Sequence, residues 1–471
     1  MSADPQDQRY LVPVIDVPVI DRSRLAALLA EERDAYVRTH PGSAAVHARA
    51  EHLLGRVPMT WMGMWTGGFP LAFREAKGAR VVDVDGTEYV DFALGDTGAM
   101  AGHSPSATVA AVRRRIDDLG GITTMMPTED AEVVAAELTR RFGLARWSFT
   151  LSATDANRWA LRLARLVTGR PKVLVFSYSY HGTVDESFVV VGPDGQPRSR
   201  PGNVGPAVDP TTTTRVVEWN DLAALERELA AGDVAAVLTE PALTNIGIVL
   251  PEPGFLEGVR ELTRAAGTLL IIDETHTLSA GPGGMTARDG LQPDLLTIGK
   301  SIGGGVPAGA YGVSAEVADR LSRAVDETGA DLVDVGGVGG TLAGNALSLA
   351  AVRATLEDVL TEDAFERMVA LGTAYAEQVR SIIETRGLPW SVVQLGARAE
   401  YRFTAPAPRN GGESAAAADE ELDAYLHLHL ANRGVLLTPF HNMALMCPET
   451  TIQDVARHTA LFGGAVDALL G

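Results

Sequence analysis

The strongest constraint on this chain's fold is an alternation that runs from about residue 105 to about residue 315. Short apolar runs at 148–152, 173–176, 234–239, 268–273, 295–299 and 310–313 read as strands. Amphipathic stretches at 156–167, 222–231 and 255–266 read as helices between them. The runs are too short for helices, and several are apolar on both faces, as strands covered on both sides of a sheet must be. Parallel neighbours need long crossovers, and helices supply them. The pattern therefore predicts a large α/β domain with a mostly parallel sheet between helical layers.

The flanks differ. Residues 23–36 read as an amphipathic helix, with Ser23 as a candidate cap. Residues 79–92, ARVVDVDGTEYVDF, read as a hairpin turning at Asp85-Gly86. After about residue 350 come helices at 347–360 and 365–386, a strand at 397–403, a loop at 404–418, a helix at 419–433, a strand at 435–437 and a last helix. The expected division is an amino-terminal segment 1–95, a large domain 96–350 and a smaller α+β domain 351–471. The small domain would pack with the amino-terminal segment.

Bulk properties exclude several classes. With 46% hydrophobic and 21% charged residues, the chain resembles an ordinary globular protein. No apolar stretch approaches the roughly 20 residues of a membrane span. The amino terminus lacks the basic and apolar parts of a secretory signal. Cys447 is the only cysteine, which fits a reducing compartment, so the expected location is cytoplasmic. A net charge of −20 opposes nucleic-acid binding. No metal is called for.

Four local features suggest chemistry. In LLTIGKSIGGG, residues 295–305, a strand ends at Lys300 before three glycines. A strand-end amine can attack an aldehyde, and the glycines would let backbone approach a flat cofactor. The Walker A alternative fails because Asp294 stands where its first glycine belongs. Taken alone, a surface lysine is the commoner explanation. The 40 basic residues include just three lysines, Lys77, Lys172 and Lys300, so few compete for the role.

In TLLIIDETH, a buried strand runs into Asp273 and Glu274, and a buried carboxylate needs a partner. A metal or a helix end would serve as well as a cofactor nitrogen. In SFTLSATDANRWALRLAR, Ser152, Ala153 and Thr154 open a helix whose amides could cup a phosphate; plain capping is the other reading. In SYSYHGTVDES, Tyr180 could stack on a ring, with His181 beside it.

Together these features resemble the class III aminotransferases, which have the fold of type I pyridoxal-phosphate (PLP) enzymes. The resemblance is nearest to glutamate-1-semialdehyde aminomutase and its aminotransferase relatives, and runs from about residue 50 to the carboxyl end. It rests on AKGARVVDVDG at 76–86, SATDA at 152–156, YHG at 180–182, Glu240-Pro241, IIDE at 271–274, PDLLTIGKSIGGGVPAGAYG at 293–312 and GGTLAGNAL at 339–347. It implies a seven-stranded type of sheet and the cofactor pyridoxal 5′-phosphate. It further implies that Lys300 binds the cofactor as a Schiff base and then moves the substrate proton. Asp273 would pair with the ring nitrogen. Ser152, Ala153 and Thr154 would hold the phosphate. Tyr180 and Thr275 would flank the ring, with His181, Glu240 and His276 nearby. Thr341 would reach the phosphate of a second subunit, so a homodimer with composite sites is implied.

The departures bear on the substrate. VPMTWMGMW, residues 57–65, lacks the arginine that aminomutases tend to carry near there, and Met443 stands where they tend to carry Glu. Trp61 and Trp65, with Met62 and Met64, could line an apolar pocket or serve as core or interface. Arg398, Glu400 and Arg402 share one strand face by period two. Arg398 could bind a substrate carboxylate, or the three could form a surface charge row. The expected reaction is amino transfer between an amine or amino acid, β- or ω-amino forms with an apolar part included, and a keto acid. A 2,1-aminomutase and a racemase or epimerase are the alternatives on the same scaffold. A dinucleotide-binding reading fails because no G-x-G-x-x-G opens a helix after a strand.

Overall fold

The computed structural model describes residues 20–471. Its central sheet has seven strands in the order Arg146–Thr150, Gly309–Val313, Leu295–Ile298, Leu269–Asp273, Val234–Thr239, Lys172–Phe176 and Thr214–Val217. Gly309–Val313 runs antiparallel to both of its neighbours; the other pairings are parallel. Every residue of Val234–Thr239, Leu269–Asp273 and Leu295–Ile298 is buried, as apolar runs with no polar alternation require.

Helix Ala153–Thr168 shows why the covering layers form. Ser152 caps it by accepting from the Asp155 amide, and Gly169 ends it in the left-handed region at φ 67°. Ala156, Ala160, Leu161, Leu163 and Ala164 face the sheet. Helix Phe255–Ala266 covers the other side through Phe255, Leu256 and Val259. Burying each such large side chain contributes about 1.5–3 kcal/mol.

The ends of the chain meet. Strand Glu88–Asp91 pairs with Arg80–Asp83 on one side and with Val435–Leu436 on the other. A separate sheet joins Ser391–Leu395, Arg398–Arg402 and Met443–Leu445. Four expectations need correction. Asp21, not Ser23, caps the first described helix, Arg22–Thr39, because its carboxylate accepts from the amides of Ser23 and Arg24. The segment 404–418 contains a short helix, Gly411–Ala416, capped by Asn410. Strand Thr214–Val217 escapes a reading by hydrophobic runs, since just two of its residues are apolar. Arg398, Glu400 and Arg402 form no surface row: the whole strand is buried, packed against helix Glu362–Thr385.

Candidate active site

The candidate side chains gather where the parallel strands end, the usual place for a site in an open α/β sheet. They surround a cavity of about 360 Å3 whose walls include Trp61, Ser152, Ala153, Thr154, Tyr180, Glu240, Asp273, Thr275, His276 and Lys300.

Strand Leu295–Ile298 delivers Lys300 through Gly299. A Cβ on Gly299 would lie 2.7 Å from the Ala153 nitrogen, so glycine here lets the lysine strand touch the start of helix Ala153–Thr168. Of the three glycines after Lys300, just Gly305 lines the cavity; Gly303 and Gly304 pack against Ala308, Thr108 and Thr355. Lys300 itself sits in the left-handed region at φ 49°, a conformation that costs a side-chain-bearing residue about 1–2 kcal/mol. Its amine donates to Asp96 Oδ2 at 2.8 Å and contacts His276 Nε2.

Asp96 carries no sequence signal. It sits in a turn where Leu94, Gly95, Asp96 and Thr97 are all left-handed, with φ of 43°, 57°, 50° and 77°. Asp91 holds the turn's entrance by accepting from the amides of Ala93 and Leu94. Arg398 holds its far end through a 2.6 Å bond to Thr97 Oγ1. Burial opposes ionisation of Asp96, but Lys300 above all outweighs it and holds the carboxyl well below the usual range.

Asp273 ends its strand buried. Its carboxylate accepts from Asn157 Nδ2 at 2.8 Å and from the Thr275 amide at 3.0 Å, and His181 Nδ1 lies 3.1 Å away. Burial again works against the charge, yet His181, Thr275 and Asn157 together hold the carboxyl below its usual range. Asn157 is a site residue that sequence reasoning passed over inside SATDAN. It is fully buried and its amide is oriented by Thr297 of the neighbouring strand, at 2.6 Å.

The amides of Ala153 and Thr154 open their helix, where no intrahelical acceptor exists, and both residues face the cavity beside Lys300. This is an anion cup. Tyr180 is half-buried, with its hydroxyl pushed up to about 12 by burial and by Asp96. Its ring meets Trp61 edge-on at 5.4 Å. Thr275 lines the cavity with a buried hydroxyl that has no partner among the described residues. Glu240 accepts from Thr244 Oγ1, and burial raises its carboxyl above the usual range. His276 bonds Thr244 Oγ1 through Nδ1 at 2.7 Å; burial and the adjacent Lys300 push its imidazole well below its usual value.

Other expected residues lie elsewhere. Trp65 packs against Tyr36 at 6.3 Å between ring centres, outside the cavity, because the chain turns away after Trp61. Met62 and Met64 are exposed. His181 lies behind Asp273 and not on the cavity wall. Arg398 is fully buried behind Thr97, and its Nε has no partner among the described residues. Met443 is buried opposite Glu400 on the small sheet. Thr341 is exposed and outside its own chain's cavity.

A primary amine, an ionised buried carboxylate and a cup of helix-end amides around one space suit a phosphorylated aldehyde with a basic ring nitrogen. Co-directional strands that bring these groups together place the molecule among the fold type I PLP enzymes. The pattern that defines the family Aminotransferase class-III matches residues 62–463. A glutamate-1-semialdehyde 2,1-aminomutase of Sorangium cellulosum is 36% identical over 401 residues, covering 84% of this chain and 88% of that protein. Its counterpart in Neisseria meningitidis serogroup A is 33% identical over 380 residues, covering 79% and 86%. Among solved structures, a glutamate-1-semialdehyde-aminomutase from Pseudomonas aeruginosa is 50% identical with a TM-score of 0.92, covering 96% of this chain and 99% of that one. An omega-transaminase from Sphaerobacter thermophilus is 30% identical with a TM-score of 0.82, covering 92% and 100%. The chain belongs to the class III aminotransferase family of PLP-dependent enzymes. No helix among the described residues is long and apolar enough to cross a membrane.

Proposed function

We propose that this chain moves an amino group from an amine or amino acid with an apolar part to a keto acid, using PLP held at Lys300. The observation that carries this reading is the character of the cavity wall. Trp61, Tyr180, Val306, Pro307 and Ala308 contribute to it, and among the described residues Lys300 is the only lysine or arginine that lines it. A substrate rich in carboxylates would want an arginine fork there.

PLP, when bound, supplies an aldehyde carbon and an electron-accepting ring. The chain's own groups would do the rest. The Ala153 and Thr154 amides, with Ser152, would hold the phosphate. Asp273 would keep the ring nitrogen protonated. Tyr180 and Thr275 would confine the ring, and Lys300 Nζ would take the proton from the substrate carbon. Arg398, buried behind Thr97, would steady the turn that carries Asp96 rather than meet the substrate. Exposed apolar residues Leu54, Met125, Met126 and Leu342 suit contact with a second copy, whose Thr341 would complete the phosphate site.

The second reading is a 2,1-aminomutase, favoured by the names of the aminomutase relatives above. Half-reactions separate the two. In the proposed reading, an apolar amine alone converts bound PLP to the pyridoxamine form, and a keto acid restores it. Isomerisation of glutamate-1-semialdehyde with no acceptor present, together with no response to amines, overturns the proposal. Borohydride reduction of the holoprotein should leave its tag at Lys300.

A further inference from the structure

We propose that His276 and Thr244 form a proton relay between the Lys300 amine and the buried carboxyl of Glu240, so that Glu240 stores the proton Lys300 gives up. The inference rests on the reading of Lys300 as the reactive amine.

The contacts are continuous. Lys300 Nζ meets His276 Nε2; His276 Nδ1 lies 2.7 Å from Thr244 Oγ1; Thr244 Oγ1 donates to Glu240 Oε2. Glu240 Oε1 accepts from the Tyr180 amide at 3.4 Å. A hydroxyl has a single hydrogen, so with Glu240 ionised one arrangement satisfies every member. Lys300 donates to Nε2, the imidazole carries its hydrogen on Nδ1 and donates to Thr244, and Thr244 donates to Glu240.

One concerted shift reverses the line. An N–H bond of the Lys300 ammonium breaks as Nε2–H forms; Nδ1–H breaks as a new Thr244 O–H forms; the old Thr244 O–H breaks as Glu240 O–H forms. The products are a neutral amine and a neutral carboxylic acid, with no proton exchanged with water. The Asp96 carboxylate, 2.8 Å from Lys300 Nζ, favours the ammonium end of the line, and burial favours the other. Burial raises the Glu240 carboxyl, favouring its neutral form, and burial keeps His276 uncharged, as a conduit must be. The charged groups bearing on His276 are Lys300, Asp96, Arg398 and Asp273. Those bearing on Glu240 include His181 and Asp273, with Arg200 and Arg398 also felt.

The relay predicts an amine whose nucleophilicity is nearly independent of pH while the pair shares one proton. The test uses the apoprotein. Trinitrobenzenesulfonate labelling of each lysine is followed by peptide mass spectrometry between about pH 6 and pH 8, where an ordinary lysine gains about tenfold in rate per pH unit. Exposed Lys77 is the internal reference. In the native protein Lys300 should change by less than about threefold over the range. Glu240→Gln and Thr244→Val should give Lys300 the slope of Lys77, and Thr244→Ser should restore the flat profile. A native Lys300 that tracks Lys77, or a flat profile in Thr244→Val, overturns the relay. Borohydride tagging with PLP in the same preparations tests the anchoring role of Lys300 separately: a missing tag sinks that role, whereas a tag with a steep native profile sinks the relay alone.

Discussion

Replacing Asn157 by leucine tests how the site carboxylate is held. The two side chains are similar in size, so packing is largely kept. The asparagine amide donates to Asp273 Oδ2 at 2.8 Å and to the His181 carbonyl at 3.1 Å, and accepts from Thr297 Oγ1 at 2.6 Å. Leucine removes all three bonds and orphans buried partners, at about 1–3 kcal/mol each. The His181 ring and the Thr275 amide still serve Asp273, so the net loss should be about 3–5 kcal/mol rather than the full sum. Denaturant unfolding of the apoprotein measures it. The variant also shifts a pH limit. The Asp273 carboxyl lies below its usual range in the folded protein, so what its charge contributes is present above the unfolded value and lost as pH falls through the folded one. Removing a donor raises the folded value, so Asn157→Leu should release PLP at higher pH than the native protein, followed by the loss of its chromophore on acidification. A variant that unfolds within about 0.5 kcal/mol of the native protein and releases PLP at the same pH would refute the reasoning.

Other outcomes follow from the same structure. Buried His458, with its imidazole held at about 3 by burial, stays neutral where an unfolded histidine takes a proton. Native stability should therefore fall by up to about 1.4 kcal/mol per pH unit from near pH 6.5 downward, and His458→Phe should soften that slope in acid unfolding curves. Gly299→Ala would press a methyl against the Ala153 nitrogen, destabilising the fold by about 1–3 kcal/mol and weakening PLP binding at least tenfold by fluorescence titration. Trp61→Ala removes an aromatic wall from the cavity and should raise KM for aromatic amines about tenfold while sparing small ones.

The sheet was the most legible part of the chain. Val234–Thr239 has the bounds its apolar run predicts, since burial on both faces leaves no polar interruption, and helix Phe255–Ala266 has those its periodicity predicts. The strand-end positions of Lys300 and Asp273 were legible for the same reason. Asp96 was not, because it meets Lys300 across 204 residues of sequence through a left-handed turn that no residue pattern announces. Thr244 and Asn157 were equally silent, since a lone hydroxyl or amide resembles any other until its neighbours are known. For Arg398 the period-two pattern gives the face but not its covering, which comes from segments far away in sequence: Thr97 meets Arg398, His441 meets Glu400, and Ser414 meets Arg402.

The left-handed backbone at Lys300 sets the fold and the chemistry against each other at a single codon. Glycine would relax the turn and steady the empty protein by about 1 kcal/mol, the usual gain when a side chain leaves such a conformation. Stability alone would thus disfavour the lysine, so its proposed role as the reactive amine carries a conformational cost of that size. In a descendant freed from that role, drift toward glycine at position 300 would be an early mark of a retired enzyme, appearing while the rest of the scaffold still looked intact.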